Sequence, residues 1–308
     1  MLRYLARRLL QMIVAFFGTT LLVYALMFTI AGNPLQALAG ERPISPSQRA
    51  QLTAQYHLDE PFLVQYGYYM RGLLTGNLGR TLAGRPIAEV LAEAWPRTIR
   101  LGLLALVFVI VFGVAGGVVA GLRRGGVFDQ LTLAFTLVVI GIPVFVLGTV
   151  MQTVFAVHLG WFRPSYAPEL GLATYILPAI VLGLLSLATA MRLTRTSVAE
   201  NLRADYVRTA IAKGLARRRV VGVHVLRNSL IPVVTFLGVE LGTLMSGAIV
   251  TEGIFNIPGV GGRLFQGIRL EDGPLVVTIV SVLVLIYLVS NLVVDVLYAV
   301  LDPRIRYD

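Results

Sequence analysis

The stretch Leu101–Leu122 reads LGLLALVFVIVFGVAGGVVAGL and holds no charged residue in its 22 positions. A helix of roughly 20 apolar residues is long enough to cross the hydrocarbon core of a bilayer. Five other runs of similar length show the same pattern between charged or Gly- and Pro-rich breaks. The predicted spans are Leu9–Ile30, Leu101–Leu122, Leu131–Val157, Leu172–Met191, Ser229–Thr251 and Pro274–Val294. The sequence therefore predicts an all-α, polytopic membrane protein with six transmembrane helices.

The composition supports this prediction. Of the 308 residues, 56% are hydrophobic and 14% are charged, which is more apolar surface than a soluble globule of this length buries. The chain has no cysteine, which excludes disulfides, thiol nucleophiles and thiolate metal sites. His57, His158 and the carboxylates show no metal-ligand spacing. We therefore expect this chain to bind no metal and no cofactor of its own.

The net charge of +10 is explained by membrane orientation if the amino terminus is cytoplasmic. The cytoplasmic segments then hold Arg3, Arg7, Arg8, Arg123, Arg124, the stretch from Arg192 to Arg227, Arg304 and Arg306. This is the positive-inside pattern, and it places both termini in the cytoplasm. No aromatic platform or recognisable binding module accompanies the basic residues, so the sequence does not indicate a nucleic-acid partner.

The longest polar segment, residues 31–100, would lie outside the membrane. Ser45 and Pro46 predict a helix start, Pro61–Leu74 has helical spacing, and Pro86–Ala94 predicts another short helix. Fewer than about 70 residues bury a limited core alone, so we expect a small extracytoplasmic subdomain that packs on the membrane helices or on a partner. The predicted domains are 1–30 (amino terminus and first span), 31–100 (the subdomain) and 101–308 (the membrane core).

Glycines predict close packing between spans. Gly113, Gly117 and Gly121 recur at intervals of four and share one face of the second span. Small residues on such a face let two helices approach closely. Gly238 and Gly242 repeat the pattern in the fifth span.

Prolines predict bends in two spans. Pro143 and Pro178 lie in the third and fourth spans, where each removes a backbone hydrogen bond. Helices that are closely packed and locally bent suit a gated pathway, but they also suit any packed bundle.

Few ionisable residues lie in the spans, where a central charge costs at least about 2.5–3.5 kcal/mol. Glu240 lies near the middle of the fifth span, and Asn291 and Asp295 lie one turn apart in the sixth. Two interpretations of Glu240 stay open: it lines a substrate cavity, or it makes a structural polar contact. The candidates for a substrate path are Glu240, Glu252 and Asn291. No close pair of carboxylates and no Ser/His pair supports an intramembrane enzyme.

The segment between the fourth and fifth spans, residues 192–228, carries the most specific signal. Within it, Asp205–Leu215 reads DYVRTAIAKGL, which has helical propensity and ends at Gly214 in the manner of a helix C-cap. A short helix with small residues at the cytoplasmic rim suits docking into a groove of another protein. The alternative is a solvated basic loop that only fixes the topology.

This run, continued by His224–Pro232, resembles the coupling loop of the dipeptide/oligopeptide branch of binding-protein-dependent ABC importer permeases. Other segments resemble the first permease subunit of that family in the same order along the chain. They are Leu58–Phe62, Gln65–Tyr66, Gly76–Arg80, Gly160–Phe162, Glu252–Phe255, Pro258–Gly259 and Leu301–Tyr307. The resemblance therefore runs from end to end.

The resemblance implies the type I ABC importer permease fold and a place in the bacterial plasma (inner) membrane. It implies three kinds of partner: a second permease subunit, two cytoplasmic ATPase domains or subunits that bind ATP and Mg, and an extracytoplasmic substrate-binding protein. The substrate stays open among dipeptides, oligopeptides, nickel chelates, glutathione and haem. Glu240 departs from the family, where a glutamine is expected.

The resemblance also implies which residues couple the chain to its ATPases. They are Asp205, Tyr206, Arg208, Thr209, Ala210, Lys213, Gly214 and Leu215. Ala210 and Gly214 are expected to give the closest contact with the groove of the ATPase.

The chain itself cannot hydrolyse ATP through a P-loop. That site needs Gly-Lys-Ser/Thr after a Gly-rich turn, and the only lysine, Lys213, stands between Ala212 and Gly214. We therefore expect no enzyme activity in this subunit. A passive channel or secondary transporter is the first alternative, and it would need no ATPase dock. An intramembrane enzyme is the second, and it would depend on a carboxylate instead of ATP.

Overall fold

The computed structural model describes residues 2–28 and 45–301. Regular structure in these residues is helical, apart from an isolated antiparallel bridge between Arg80 and Pro86. The α-helices are α1 (Leu2–Phe28), α2 (Pro46–Tyr56), α3 (Phe62–Leu74), α4 (Ile87–Phe108), α5 (Ala115–Leu122), α6 (Val127–Gly141), α7 (Val144–Met151), α8 (Ile176–Asn201), α9 (Asp205–Ala212), α10 (Arg217–Arg219), α11 (Leu226–Ile254), α12 (Val260–Arg269) and α13 (Gly273–Leu301). The predicted all-α class is confirmed.

π-Helical and 3₁₀-helical segments join some of these helices. π-Helical turns at Val109–Val114, Gln152–His158 and Val220–Val225 continue or join helices, and Pro168–Tyr175 forms a 3₁₀ segment before α8. In the described residues, five helical stretches are long and apolar enough to cross a membrane: Arg7–Met27, Ile87–Leu122, Pro168–Asn201, Arg217–Met245 and Gly273–Leu292. The pair Val127–Gly141 and Val144–His158 brings the number to six when it counts as one span.

Two helices extend beyond the residues that the sequence pattern marks. The short helix predicted at Pro86–Ala94 is the first part of a helical stretch that runs from Ile87 to Leu122. The helix that contains the predicted span Leu172–Met191 continues to Asn201, and the membrane boundary at Met191 stays a prediction. An apolar run marks only the part of a helix that lipid or the core can cover, and the polar residues beyond it are still able to form helix.

Of the two predicted kinks, one is confirmed. Ile142 and Pro143 are extended, with ψ angles of 126° and 139°, and the helices on either side are bent by 106°. Proline lacks an N–H and pushes the preceding residue out of the helical region, which explains the break. Pro178 is the third residue of α8, where the helix needs no N–H from it, so the predicted break of the ladder there is wrong.

The chain divides into two compact units. The first unit comprises Met1–Thr98 with Pro258–Asp308, and the second comprises Ile99–Ile257. In the first unit, α1 packs along α13. Tyr24 of α1 and Val277 of α13 are buried there among aromatic side chains of α2 and α3. The predicted division at residues 30 and 100 stays a prediction.

In the second unit, α8 is the central helix and packs against α5, α6, α7 and α11. The glycines of the second span explain how closely α5 approaches α8. A Cβ atom on Gly117 would lie 2.6 Å from the carbonyl oxygen of Met191, and one on Gly121 would lie 2.8 Å from that of Arg195. Gly113 has contacts of 3.3 Å to the same helix. The predicted close approach at these three glycines is therefore confirmed.

In the fifth span, no other helix that the structure describes packs closely against Gly238. A Cβ atom on Gly238 would meet nothing within 4 Å, so that part of the prediction is wrong. The role of Gly242 stays a prediction. Sequence spacing places glycines on one face, but only the neighbouring helix decides whether that face is covered.

Candidate functional site

The helix predicted to couple the chain to a partner is present as α9, Asp205–Ala212. It follows an extended Ala204 and ends at Gly214, whose φ angle is 75°. The N–H of Gly214 donates to the carbonyl of Ile211 (2.9 Å), and that of Leu215 donates to the carbonyl of Ala210 (3.3 Å). These two bonds form a Schellman motif, and glycine is favoured at its left-handed position because it has no Cβ. The predicted C-cap at Gly214 is confirmed.

The inner face of α9 is fixed to the body of the second unit. Val207 and Ala210 are buried with Val198, Val220 and Val225, and Leu215 packs against the same cluster. Ala210 is only 6% exposed, so it faces the interior of its own chain. Its side chain therefore contributes mainly to packing within the chain, and its contact with an ATPase groove stays a prediction.

The outer face of α9 is exposed. Asp205, Tyr206, Arg208, Thr209 and Lys213 are all exposed on it or at its end. Ile211, the next-to-last residue of α9, is 61% exposed, and the sequence pattern did not single it out. The sequence carries no clear signal for this exposure, because Ile211 follows the buried Val207 by four residues and that spacing places both on one side of a helix.

Local contacts hold the polar side chains of α9 in place. The hydroxyl of Thr209 donates to the carbonyl of Asp205 at 3.0 Å, and Arg208 donates to the Asp205 carboxylate at 3.5 Å. The Tyr206 hydroxyl donates to the side-chain oxygen of Asn201. Exposed pairs of this kind contribute little stability, so they orient the face more than they hold the helix.

A buried ion pair braces the helix that leads into α9. Arg195 of α8 donates from Nε and Nη2 to the two carboxylate oxygens of Asp129, each at 2.8 Å. The N–H of Gly125 adds a third bond to Asp129 at 2.9 Å. Asp129 is also in the first turn of α6, where the helix dipole favours a negative charge. Sequence reasoning missed this pair because its partners are far apart along the chain.

The three candidates for a substrate path have different surroundings. Glu240 accepts a hydrogen bond of 2.5 Å from the hydroxyl of Ser186, a buried residue of α8. Glu240 therefore has a polar partner within its own chain. Glu252, also on α11, has no exposed surface in the second unit, and Asn291 is half-buried on α13 in the first unit. The side chain of Asp295 lies outside the described residues.

The first unit also contains a buried carboxylate, Asp272, which the sequence pattern did not single out. Asp272 caps α13 by accepting from the N–H of Leu275 at 3.1 Å, and its other oxygen accepts from the N–H of Leu82 at 3.0 Å. Burial raises the pKa of the Asp272 carboxyl, and the two backbone hydrogen bonds act in the opposite direction. Asp272 thus ties the loop after α3 to the start of α13. Across residues 2–28 and 45–301, no three His, Asp or Glu side chains gather in a way that could hold a metal ion.

Two profiles of known protein families match the chain, and together they cover most of its length. Residues 113–307 match the sequence profile of the binding-protein-dependent transport system inner membrane component. Residues 1–97 match the profile of the N-terminal part of such membrane components. The chain belongs to this family. It is therefore a multi-pass membrane component of a binding-protein-dependent transport system.

Individual permeases match over their whole length. The chain is 39% identical to the di/tripeptide transport system permease protein DppB of Pseudomonas aeruginosa, an alignment that covers 100% of this chain and 99% of that protein. It is 38% identical to the dipeptide transport system permease protein DppB of Alkalihalophilus pseudofirmus, with 100% of both covered. It is 36% identical to the glutathione transport system permease protein GsiC of Escherichia coli, also with 100% of both covered. The predicted family is confirmed, and nothing in these similarities favours a channel or an intramembrane enzyme.

Proposed function

We propose that this permease is one of two membrane subunits of an ATP-driven importer of short peptides or related ligands. The similar permeases are named for the transport of di- and tripeptides or of glutathione. Short peptides and glutathione are therefore the proposed classes of ligand. The observation that carries the proposal is α9, a short helix with one face anchored in the body of the chain and the other exposed. A helix of this kind transmits an applied movement to the unit that holds it.

The proposed partners are those that membership of the family implies. A second permease subunit supplies the other half of the pathway, and two cytoplasmic ATPase domains or subunits bind ATP and Mg. An extracytoplasmic substrate-binding protein delivers the ligand. The chain itself binds no cofactor in this proposal. Both termini and α9 are placed in the cytoplasm, in agreement with the distribution of arginines.

The proposed coupling surface is the exposed face of α9. It comprises Asp205, Tyr206, Arg208, Thr209, Ile211 and Lys213, with Gly214 and Leu215 closing the helix. Ile211 supplies apolar area for contact with a groove, while the surrounding charges set the register of docking. Val207 and Ala210 pass the movement to α8, whose end is braced by Arg195 and Asp129.

For the substrate path, the proposal keeps Glu240 and Asn291 and leaves out Glu252. Glu240 and Asn291 both keep exposed surface on helices that are apolar enough to span, whereas Glu252 has none. Intramembrane polar residues face the bundle or a water-filled cavity because lipid cannot solvate them. The hydrogen bond from Ser186 fixes the Glu240 carboxylate on the side of α8.

The proposal is tested by Ile211→Asp, with Ile211→Leu as its matched control. A buried charge in a docking groove is unfavourable, so we expect Ile211→Asp to lower ATP-dependent peptide uptake by about 100-fold, a change of about 2.7 kcal/mol. Ile211→Leu keeps the apolar contact and should transport within about twofold of the unchanged protein. Uptake is measured in proteoliposomes that contain the complete transporter, and association is measured by co-purification of the ATPase subunits.

A substitution of Ile211 tests the coupling surface more directly than a substitution of Gly214. Gly214 has a positive φ angle, so any other residue strains the end of the helix, and a loss of uptake would have two explanations. Ile211 is exposed and has an ordinary helical conformation. Normal ATP-dependent uptake by Ile211→Asp would contradict the proposed coupling surface. Uptake that needs no ATP at all would favour a channel.

A further inference from the structure

The first unit contains a half-open cavity of about 500 Å³ whose lining includes five aromatic side chains. Tyr24, Tyr56, Tyr68 and Tyr69 line it, together with His57. Tyr24 and Tyr69 have ring centroids 5.2 Å apart, and His57 stacks on Tyr68 at 4.0 Å with an angle of 21° between the rings. The volume falls within the range of about 300–1,000 Å³ that is usual for small-molecule sites.

Two of the tyrosine hydroxyls in the lining form hydrogen bonds to other groups of the chain. The hydroxyl of Tyr69 donates to Oγ of Ser281 at 2.7 Å, and that of Tyr56 donates to the carbonyl of Arg80 at 3.0 Å. Burial raises the pKa of Tyr69 to about 12, so this phenol is neutral at physiological pH. Neutral aromatic faces bind flat or bulky apolar groups well.

Two amide side chains in the lining have hydrogen-bonding atoms to spare. Gln65 is only 8% exposed, and its Nε2 donates to the carbonyl of Glu60 at 2.8 Å, while its Oε1 accepts no bond from any residue that the structure describes. Asn77 accepts from the N–H of Gly79 at 3.3 Å through Oδ1, which leaves its Nδ2 as a donor. A spare acceptor and a spare donor are what a peptide bond needs.

His57 on the rim of the cavity also has an unusual backbone. Its φ angle is 53°, a left-handed conformation that side chains rarely adopt. This conformation ends α2, because His57 follows the last helical residue, Tyr56, and the N–H of Leu58 donates to the carbonyl of Thr53 at 3.0 Å. Arg80 adds a full positive charge to the lining, next to which the carboxylate end of a ligand is favoured.

We propose that this cavity is a binding site for a short peptide with an aromatic or bulky apolar side chain. The ring faces take the side chain, the two spare amide groups take the peptide bond, and the positive charge of Arg80 favours the terminal carboxylate. The cavity belongs to the first unit, whereas α9 and Glu240 belong to the second. The site is therefore additional to the coupling surface and to the proposed substrate path. A phospholipid offers an apolar body and an anion but no peptide bond, so it is the competing ligand in the test.

The test uses the purified full-length chain in detergent, without ATPases, so that its result does not depend on the proposed coupling. Binding of the dipeptide Ala-Phe is measured by isothermal titration calorimetry and compared with Ala-Gly and with dihexanoyl phosphatidylcholine. We expect Ala-Phe to bind about tenfold or more tightly than Ala-Gly, because only Ala-Phe brings a ring to the aromatic walls.

Leu73→Trp and Leu74→Trp form a matched pair for this experiment. Leu73 lines the cavity, whereas its neighbour Leu74 is 70% exposed and does not. Leu73→Trp should fill the cavity and weaken Ala-Phe binding by about tenfold or more, and Leu74→Trp should leave it within about twofold. If Leu73→Trp does not fold, Tyr68→Ala removes a ring from the 43% exposed rim position and should weaken binding by about threefold or more.

Three results would overturn the proposal. The first is no binding of Ala-Phe to the unchanged chain. The second is equal binding by the two tryptophan variants. The third is binding of the phospholipid alone, which would assign the cavity to lipid.

Discussion

At the scale of single residues, two glycines in spanning helices have opposite surroundings. Gly117 lies against α8, where an added Cβ atom would come within 2.6 Å of both the Met191 carbonyl oxygen and Cβ of Thr194. Gly238 on α11 has open space beside it. The backbone oxygen of Met191 cannot move aside as the end of a flexible side chain can. A methyl group is therefore expected to act differently at the two positions.

Gly117→Ala should destabilise the protein by about 1–3 kcal/mol, because the added methyl group forces α5 away from α8. Gly238→Ala is its control, and it should leave stability unchanged or raise it by up to about 1 kcal/mol through helix propensity. Unfolding is followed by circular dichroism in mixed micelles with increasing dodecyl sulfate. Equal stability of the two variants would mean that α5 and α8 do not approach as closely as described.

Single residues also show what a pattern in the sequence leaves undecided. Gly113, Gly117 and Gly121 were predicted to share a packed face, and they do, because their interval of four suits a helix whatever its partner is. Gly238 has the same kind of spacing and no neighbour within 4 Å. Ala210 was predicted to contact a partner and is buried in its own chain. Spacing fixes which residues share a face, and only packing decides what covers it.

At the scale of elements, a buried ion pair between Asp129 and Arg195 links α6 to α8. Asp129 and Arg195 form a two-pronged ion pair at 2.8 Å, with side-chain exposures of 3% and 17%. It holds the last part of α8, the helix from which α9 follows. Removal of one partner leaves the other charge buried without compensation, which is more costly than removal of both.

We expect Asp129→Asn to destabilise the protein by about 3 kcal/mol and to lower ATP-dependent uptake, since the end of α8 is then held less firmly. The double variant Asp129→Asn with Arg195→Met removes both charges and should recover most of the stability. Stability is measured by the same unfolding experiment as for the glycines. Additive losses in the double variant would show that the two side chains act independently.

Elements also show where hydropathy is a poor guide. The predicted break at Pro143 is confirmed as a bend of 106°, because proline imposes its geometry locally. Pro178 lies in the first turn of α8, where the backbone N–H groups have no partner within the helix. The helix is therefore not broken there. Position within the helix decides the effect of a proline, and helix ends are not visible in an apolar run.

At the scale of the whole molecule, the proposed orientation places Lys213 at the cytoplasmic face and Asp59 outside. The chain has no cysteine of its own, so a single introduced thiol gives an unambiguous label. Both residues are exposed. We expect Lys213→Cys to react with a membrane-impermeant maleimide only in inverted membrane vesicles, and Asp59→Cys only in intact cells. Labelling of Lys213→Cys in intact cells would show that the topology is opposite to the proposed one. Helix α9 would then lie outside the cell, where cytoplasmic ATPases cannot bind it.

The sequence by itself determined the lipid-soluble character of the chain, its helical class, its family and the extent of α9. These follow from apolar runs, from glycine and proline chemistry and from local motifs, all of which act between residues close along the chain. The tertiary structure alone decided which face of α9 is free, which partner Glu240 has, that Asp129 meets Arg195, and that tyrosines of α1, α2 and α3 enclose a cavity. Each of these depends on contacts between distant segments, and the geometry of such contacts is set by the packing of helices and not by local sequence.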